Sequence, residues 1–349
     1  MLGLIEGFYG RPWTMSSRRS TIVSLRAYDY DFYVYAPKAD TYLRRKWHTP
    51  YPQKDLEALL ELARYCQNLG VRFGLGLSPY ELFRHFDQNA RAELASKLDQ
   101  LRELKLDLLA ILFDDMPGNF FQLASTQLAI IDAVSKQLSD VKLIFCPTYY
   151  SDDPILDRAF GHRPDDYLNT IGRMLDPAIA VFWTGPEICS REYTRGHLEK
   201  VTDILKRRPF LWDNYPVNDG PRMSRYLHLR GVTGRSTLAE DLLEGHAVNP
   251  SLQPTLTQIP AITLSMAYRQ GSHYDYGRAF QEASGVVCGP PLAQCLWEDL
   301  GLLQETGLDR LSSVDLERLR VRYGGFDHEA AREVLAFLNG EYLFEGEMN

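Results

Sequence analysis

Cysteine is scarce in this 349-residue chain, and the five present (Cys66, Cys146, Cys189, Cys288 and Cys295) are odd in number with no C-x-x-C pair. Neither a disulfide framework nor a thiolate zinc site is therefore signalled, and the cysteines read as reduced. The eight histidines are scattered singly without an H-E-x-x-H pattern, so no metal or other cofactor is expected. Long apolar runs are missing too. Stretches such as Leu108 to Phe113 fall far short of the roughly 20 residues that span a bilayer. The N-terminus has no basic region leading into an apolar run, and the expectation is a soluble, cytoplasmic protein that makes no use of a membrane. Basic residues are also outnumbered, with 38 Lys and Arg against 46 Asp and Glu for a formal charge of −8. Phosphate backbones are held by clustered cations, so nucleic acid is not an expected partner.

Core-forming residues are plentiful. Hydrophobic residues make up 45% of the chain, with 16 Phe, 5 Trp and 20 Tyr, which suits a large globular core rather than disorder or a coiled coil. Short apolar or β-branched runs recur at Leu2–Ile5, Phe32–Tyr35, Arg72–Leu77, Leu108–Phe113, Leu143–Phe145, Ala180–Trp183, Pro209–Trp212 and His246–Val248. Their spacing of about 30 to 40 residues is the length of a βα unit, and eight such units need roughly 250 to 280 residues. Helical spacing fills the gaps, as in Leu56, Leu59, Leu60 and Leu62 and again in Leu94, Leu98, Leu101 and Leu104. A doubly wound open sheet would alternate in the same way. However, no G-x-G-x-x-G opens the first helix, and Gly74-Leu75-Gly76 falls inside a strand.

The expected fold is thus α/β, a (β/α)8 barrel over residues 1–272 followed by a helical C-terminal region over 273–349. In that tail Leu311 to Val321 and His328 to Leu338 carry apolar residues at helical spacing, behind glycine breaks at Gly307 and Gly324-Gly325. The tail has three readings, a cap on the barrel, a small helical domain or a homodimer interface, and the sequence does not choose among them.

Barrel enzymes place their reacting groups where strands end and loops begin, and these ends are polar. Strand one runs into Glu6-Gly7-Phe8-Tyr9, strand two into Ala36-Pro37-Lys38, and strand four into Asp114-Asp115. Later ends carry Cys146-Pro147-Thr148-Tyr149-Tyr150, Trp183-Thr184-Gly185-Pro186, Trp212-Asp213-Asn214 with Asn218-Asp219, and Asn249-Pro250. Two neighbouring carboxylates repel, and repulsion with partial burial favours one protonated acid beside one ionised base, the division that glycoside cleavage requires. A helix N-cap or a magnesium site would use the same residues. Trp13, Trp183, Trp212, Tyr149 and Tyr150 add aromatic faces that suit sugar C–H surfaces, although each taken singly reads as core. Lys38 alone reads equally as a solvated surface lysine or a hydroxyl ligand, Gly7 as a positive-φ position or a close approach of sugar to the chain, Asp219 as turn chemistry, and Asn249 before proline likewise.

Together these segments resemble the family 84 glycoside hydrolases, β-N-acetylglucosaminidases that include the protein O-GlcNAcases and bacterial homologues. Ile5-Glu6-Gly7-Phe8-Tyr9-Gly10-Arg11-Pro12-Trp13 is similar to the family's opening motif, and Tyr35-Ala36-Pro37-Lys38 with Arg44 and Trp47 to its second. The remaining motifs follow in the family's order, across about residues 2 to 265. The resemblance implies a metal-free, retaining reaction whose nucleophile is the substrate's own acetamido oxygen. It implies that Asp114 orients the acetamido N–H and that Asp115 protonates the leaving oxygen and then activates water against an oxazoline. Gly7, Lys38, Asn214, Asp219 and Asn249 match positions that hold sugar hydroxyls, and Tyr150 and Trp212 match the pocket around the acetyl group and ring.

Departures from the pattern are Tyr149 in place of a polar residue, Ser151-Asp152-Asp153 in place of small ones, and Ala39 in place of Asp. They bear on specificity. Against the family pattern, the expectation is a chain without the preceding domain of many bacterial relatives and with a shorter tail than animal relatives. The expected partners are β-GlcNAc glycosides or O-GlcNAc-modified proteins. Two rival readings are a two-carboxylate glycosidase with Asp114 or Asp213 as covalent nucleophile on sugars lacking an acetamide, and a non-catalytic GlcNAc-binding protein.

Overall fold

The computed structural model describes residues 1–235 and 240–344. Eight parallel strands close into a barrel in chain order: β1 Leu2–Glu6, β2 Tyr30–Tyr35, β3 Arg72–Leu77, β4 Leu108–Leu112, β5 Lys142–Cys146, β6 Ala180–Trp183, β7 Phe210–Asp213 and β8 Gly245–Val248. Nearly every strand residue is buried, as expected for parallel strands covered on both faces. Helices intervene as the sequence periodicity predicts. Gln53–Asn68 buries Leu56, Leu59, Leu62, Ala63 and Cys66, and Gln88–Arg102 buries Leu94, Leu98 and Leu101, its first turn capped by Asp87. The fold is the expected (β/α)8 barrel. Among the described residues, no helix is long and apolar enough to cross a membrane.

Two compact units divide the chain. The first comprises Met1–Gly7, Tyr30–Asp213 and Ala239–Ala247, and so carries the strands apart from Val248. Inside it, Phe210 lies edge-on to Phe32 at 5.7 Å and to Phe182 at 5.2 Å between centroids, filling the barrel with aromatic side chains. Gly76 of β3 is a glycine for want of room: a Cβ there would lie 2.5 Å from the Ala36 Cβ.

The second unit comprises Phe8–Asp29, Asn214–Leu238 and Val248–Asn349. Its centre is the helix Pro254–Gln270, buried almost all round, against which Met15–Arg26 and Tyr276–Cys288 pack. The tail helices Ser313–Gly324 and Glu329–Leu338 fall on the two segments, Leu311 to Val321 and His328 to Leu338, that carry apolar residues at helical spacing. From the second of these, Glu333 reaches the start of Pro254–Gln270. Its two carboxyl oxygens accept the Thr255 and Leu256 N–H groups, each at 2.8 Å, supplying the cap that the helix lacks locally.

Burial pushes the Glu333 carboxyl up to about 7 from 4.5, against the opposing pull of those two N–H donors. The folded chain then keeps a proton that the unfolded chain has lost. The stability contributed by this group is therefore greatest at low pH, falls as pH rises from about 4.5 to 7, and levels off above. Glu333→Gln is expected to flatten that decline. Denaturant unfolding of both proteins across the window checks it, and a pH-independent difference between them would refute it.

Candidate active site

Strand β4 is wholly apolar from Leu108 to Leu112, and its barrel register carries the chain straight into Asp114 and Asp115. The two acids have unlike surroundings. Asp114 is buried and one of its oxygens, Oδ2, forms a buried ion pair with Lys38 Nζ. Its other oxygen, Oδ1, is buried without a hydrogen-bond donor. Asp115 is partly exposed and accepts a hydrogen bond at Oδ1 from the Tyr150 hydroxyl at 2.9 Å. Burial first, then the charges of Asp115 and Asp114, hold that hydroxyl well above its ordinary 10, so it stays a donor.

Of the two readings of Lys38, the solvated surface lysine is excluded: it is only 8% exposed, and its Nζ lies 5.9 Å from the centroid of the Trp212 ring as well as against Asp114. Trp212 also explains Gly7. That glycine is not among the positive-φ residues, but a Cβ on it would sit 2.3 Å from Trp212 Cζ2, so the indole occupies the space a side chain would need. Gly7, Lys38, Asp114, Asp115, Tyr150 and Trp212 all belong to the first unit.

Three further predicted residues belong to the second unit. Asn249 Nδ2 donates to Asn214 Oδ1 at 2.9 Å, and Asp219 Oδ2 accepts the Tyr9 N–H at 2.8 Å. Asp219 stands at the start of the short helix Gly220–Met223 without capping it through its side chain. The neighbouring Asn218 is a structural tie, bonded to the Tyr226 carbonyl, Gln253 and the Leu252 N–H.

Not every aromatic residue at a strand end faces this chemistry. Trp13 donates its indole N–H to the Ser251 carbonyl, Trp183 donates to His197, and Tyr149 is fully buried with its hydroxyl on the Gly161 carbonyl. The loop after β5 is anchored by two acids. Asp153 accepts from the Ile188 N–H, and Asp152 pairs with Lys200.

Several supporting partnerships escaped the sequence reading, although Glu6, Thr148 and Asp213 were among the strand-end residues it named. A fully buried ring of hydrogen bonds lies beneath the acid pair: the Tyr167 hydroxyl donates to Gln127 Oε1, Gln127 Nε2 to Thr148 Oγ1 at 2.8 Å, and Thr148 Oγ1 to the Phe113 carbonyl at 3.0 Å. The Thr148 N–H closes the ring on the Tyr167 oxygen at 3.0 Å. It ties the residue before Asp114 to the loop that carries Tyr150. Asp213, at the end of β7, is 1% exposed with its Oδ2 3.1 Å from His246 Nε2 on β8. Similarly, Glu6 at the end of β1 accepts from the Tyr33 hydroxyl. Ionisable residues inside otherwise apolar strands were the available signal for these two pairs. Among the described residues, no three His, Cys, Asp or Glu side chains are grouped to hold a metal ion.

A closed parallel barrel with two adjacent acids and a buried lysine at its strand ends is an arrangement that barrel glycoside hydrolases use. The sequence matches the β-N-acetylglucosaminidase family model over residues 2–297, and the chain belongs to that family. It is 31% identical over 278 residues to the protein O-GlcNAcases of Rattus norvegicus and Mus musculus. Those alignments cover 77% of this chain but only 30% of each relative's length. A mutant O-GlcNAc hydrolase of Thermobaculum terrenum superimposes with a TM-score of 0.80 at 27% identity, covering 97% of this chain and 80% of that one.

Proposed function

We propose that the chain removes terminal β-linked N-acetylglucosamine with retention of configuration, using the substrate's acetamido oxygen as nucleophile. The observation that carries this reading is the buried, donorless Oδ1 of Asp114 beside the Lys38 ion pair. A buried acceptor without a partner costs about 1–3 kcal/mol, and a substrate amide N–H supplies the donor that the protein withholds. Bonding that N–H to an ionised carboxylate raises electron density on the acetamido oxygen and offsets the positive charge that grows as the oxazoline closes. The attached nucleophile brings an effective molarity of about 10^5 to 10^8 M, so no attacking carboxylate is needed from the protein.

In this reading Asp115 donates a proton to the leaving oxygen and later takes one from the water that opens the oxazoline. Its partly exposed position suits exchange with both. Tyr150 and Trp212 enclose the acetyl group and ring, and Lys38 and the backbone at Gly7 hold hydroxyls. The proposed substrates are small β-GlcNAc glycosides or O-GlcNAc on protein Ser and Thr.

The test compares p-nitrophenyl β-GlcNAc with p-nitrophenyl β-glucoside. Substrate assistance predicts turnover of the first and none of the second. Equal turnover of the two, or tight binding of GlcNAc without hydrolysis, would overturn the proposal.

A further inference from the structure

Arg44 lies in the segment after β2 and is 2% exposed. Its Nη1 donates to Ser78 Oγ at 2.8 Å and to the Asp114 carbonyl at 3.5 Å, and its Nη2 donates to the Asp115 carbonyl at 3.0 Å. Those two carbonyls are the ones on either side of the Asp115 Cα. Asp115 itself has φ 56°, in the left-handed region, which L-residues rarely enter unless their surroundings hold them there. The far side of the grip is fixed as well: the Ser78 N–H donates to the Leu43 carbonyl at 2.8 Å, tying the end of β3 to the residue before Arg44.

We propose that Arg44 is a positioning residue for proton delivery. By holding both peptide carbonyls around the Asp115 Cα, it maintains the left-handed turn that presents the Asp115 carboxyl to the Tyr150 hydroxyl and to the leaving oxygen. The role rests on the hydrolase reading given above. A guanidinium suits it because its planar fork aims separate N–H groups at separate acceptors, whereas a lysine ammonium is a single point charge.

The experiment measures kcat/KM for wild type, Arg44→Lys, Ser78→Ala, Asp115→Asn and the Arg44→Lys/Asp115→Asn double variant. Two β-GlcNAc glycosides are used, one with a 2,4-dinitrophenyl leaving group that needs little protonation and one with a methylumbelliferyl group that needs more. Arg44→Lys is expected to lose about ten-fold or more on the second beyond its loss on the first, a fraction of the roughly 10^2 to 10^4 that general acid catalysis contributes. It should add little to Asp115→Asn on the second substrate, because no acid remains to be positioned. Equal losses on both substrates, or losses that multiply with those of Asp115→Asn, would overturn the role and leave Arg44 a purely structural residue. Should Arg44→Lys fail to fold, Ser78→Ala decides: a smaller but leaving-group-selective loss supports the role, and a uniform loss overturns it. No turnover of either glycoside by the wild type would overturn the hydrolase reading and this role with it, whereas uniform losses overturn the role alone.

Discussion

Asp115→Asn is expected to lower kcat/KM by about 10^2 to 10^4 on glycosides with poor leaving groups, the span that general acid catalysis provides. On a dinitrophenyl glycoside the same substitution should cost far less, because that leaving group departs without a proton. Asparagine keeps the size of the side chain and an acceptor for the Tyr150 hydroxyl, which burial holds in its protonated form. It is also among the residues that tolerate a left-handed backbone. The variant therefore removes the proton and little else. Asp114→Asn is expected to give the contrasting pattern, a loss of similar size whatever the leaving group, since on the proposed mechanism every substrate passes through the oxazoline. A plot of log kcat/KM against leaving-group basicity separates the two, and parallel lines for wild type and Asp115→Asn would exclude Asp115 as the acid.

Lys38→Met carries the largest expected effect on stability. Lys38 and Asp114 form an ion pair with both side chains under a tenth exposed, and breaking a buried pair from one side costs about 3–5 kcal/mol because the remaining charge is left unmatched. The double variant Lys38→Met/Asp114→Asn leaves no charge behind and should regain most of that loss. Urea unfolding of wild type, single and double variants measures it. If the double variant were as unstable as Lys38→Met, the cost would lie in lost packing of the lysine stem against Trp212 and not in the stranded carboxylate.

The strands were legible because each is a short apolar run closed by a polar break. Arg72–Leu77 and Ala180–Trp183 have the bounds read from the sequence, and the other six differ by one or two residues at their ends. The acid pair was legible for the same reason, as two charges at the end of an apolar strand. What pattern could not supply is partnership across the chain. Gln127 and Tyr167 look like ordinary polar residues of amphipathic helices, and only folding brings them together with Thr148 under Asp114. Glu333 caps a helix that begins 79 residues before it (333 less 254). Adjacent residues also diverge, since Tyr149 turns into the packing while Tyr150 meets Asp115, and one-letter identity does not tell them apart.

The placement of Trp212 against Gly7 sets a limit on how this barrel could be re-engineered. Enlarging the residue at position 7 would displace the indole, and the indole stands beside the Lys38 ammonium that neutralises Asp114. One added methyl at the end of the first strand would thus be felt as an altered charge balance on the fourth, so libraries that randomise position 7 should return glycine in every active variant.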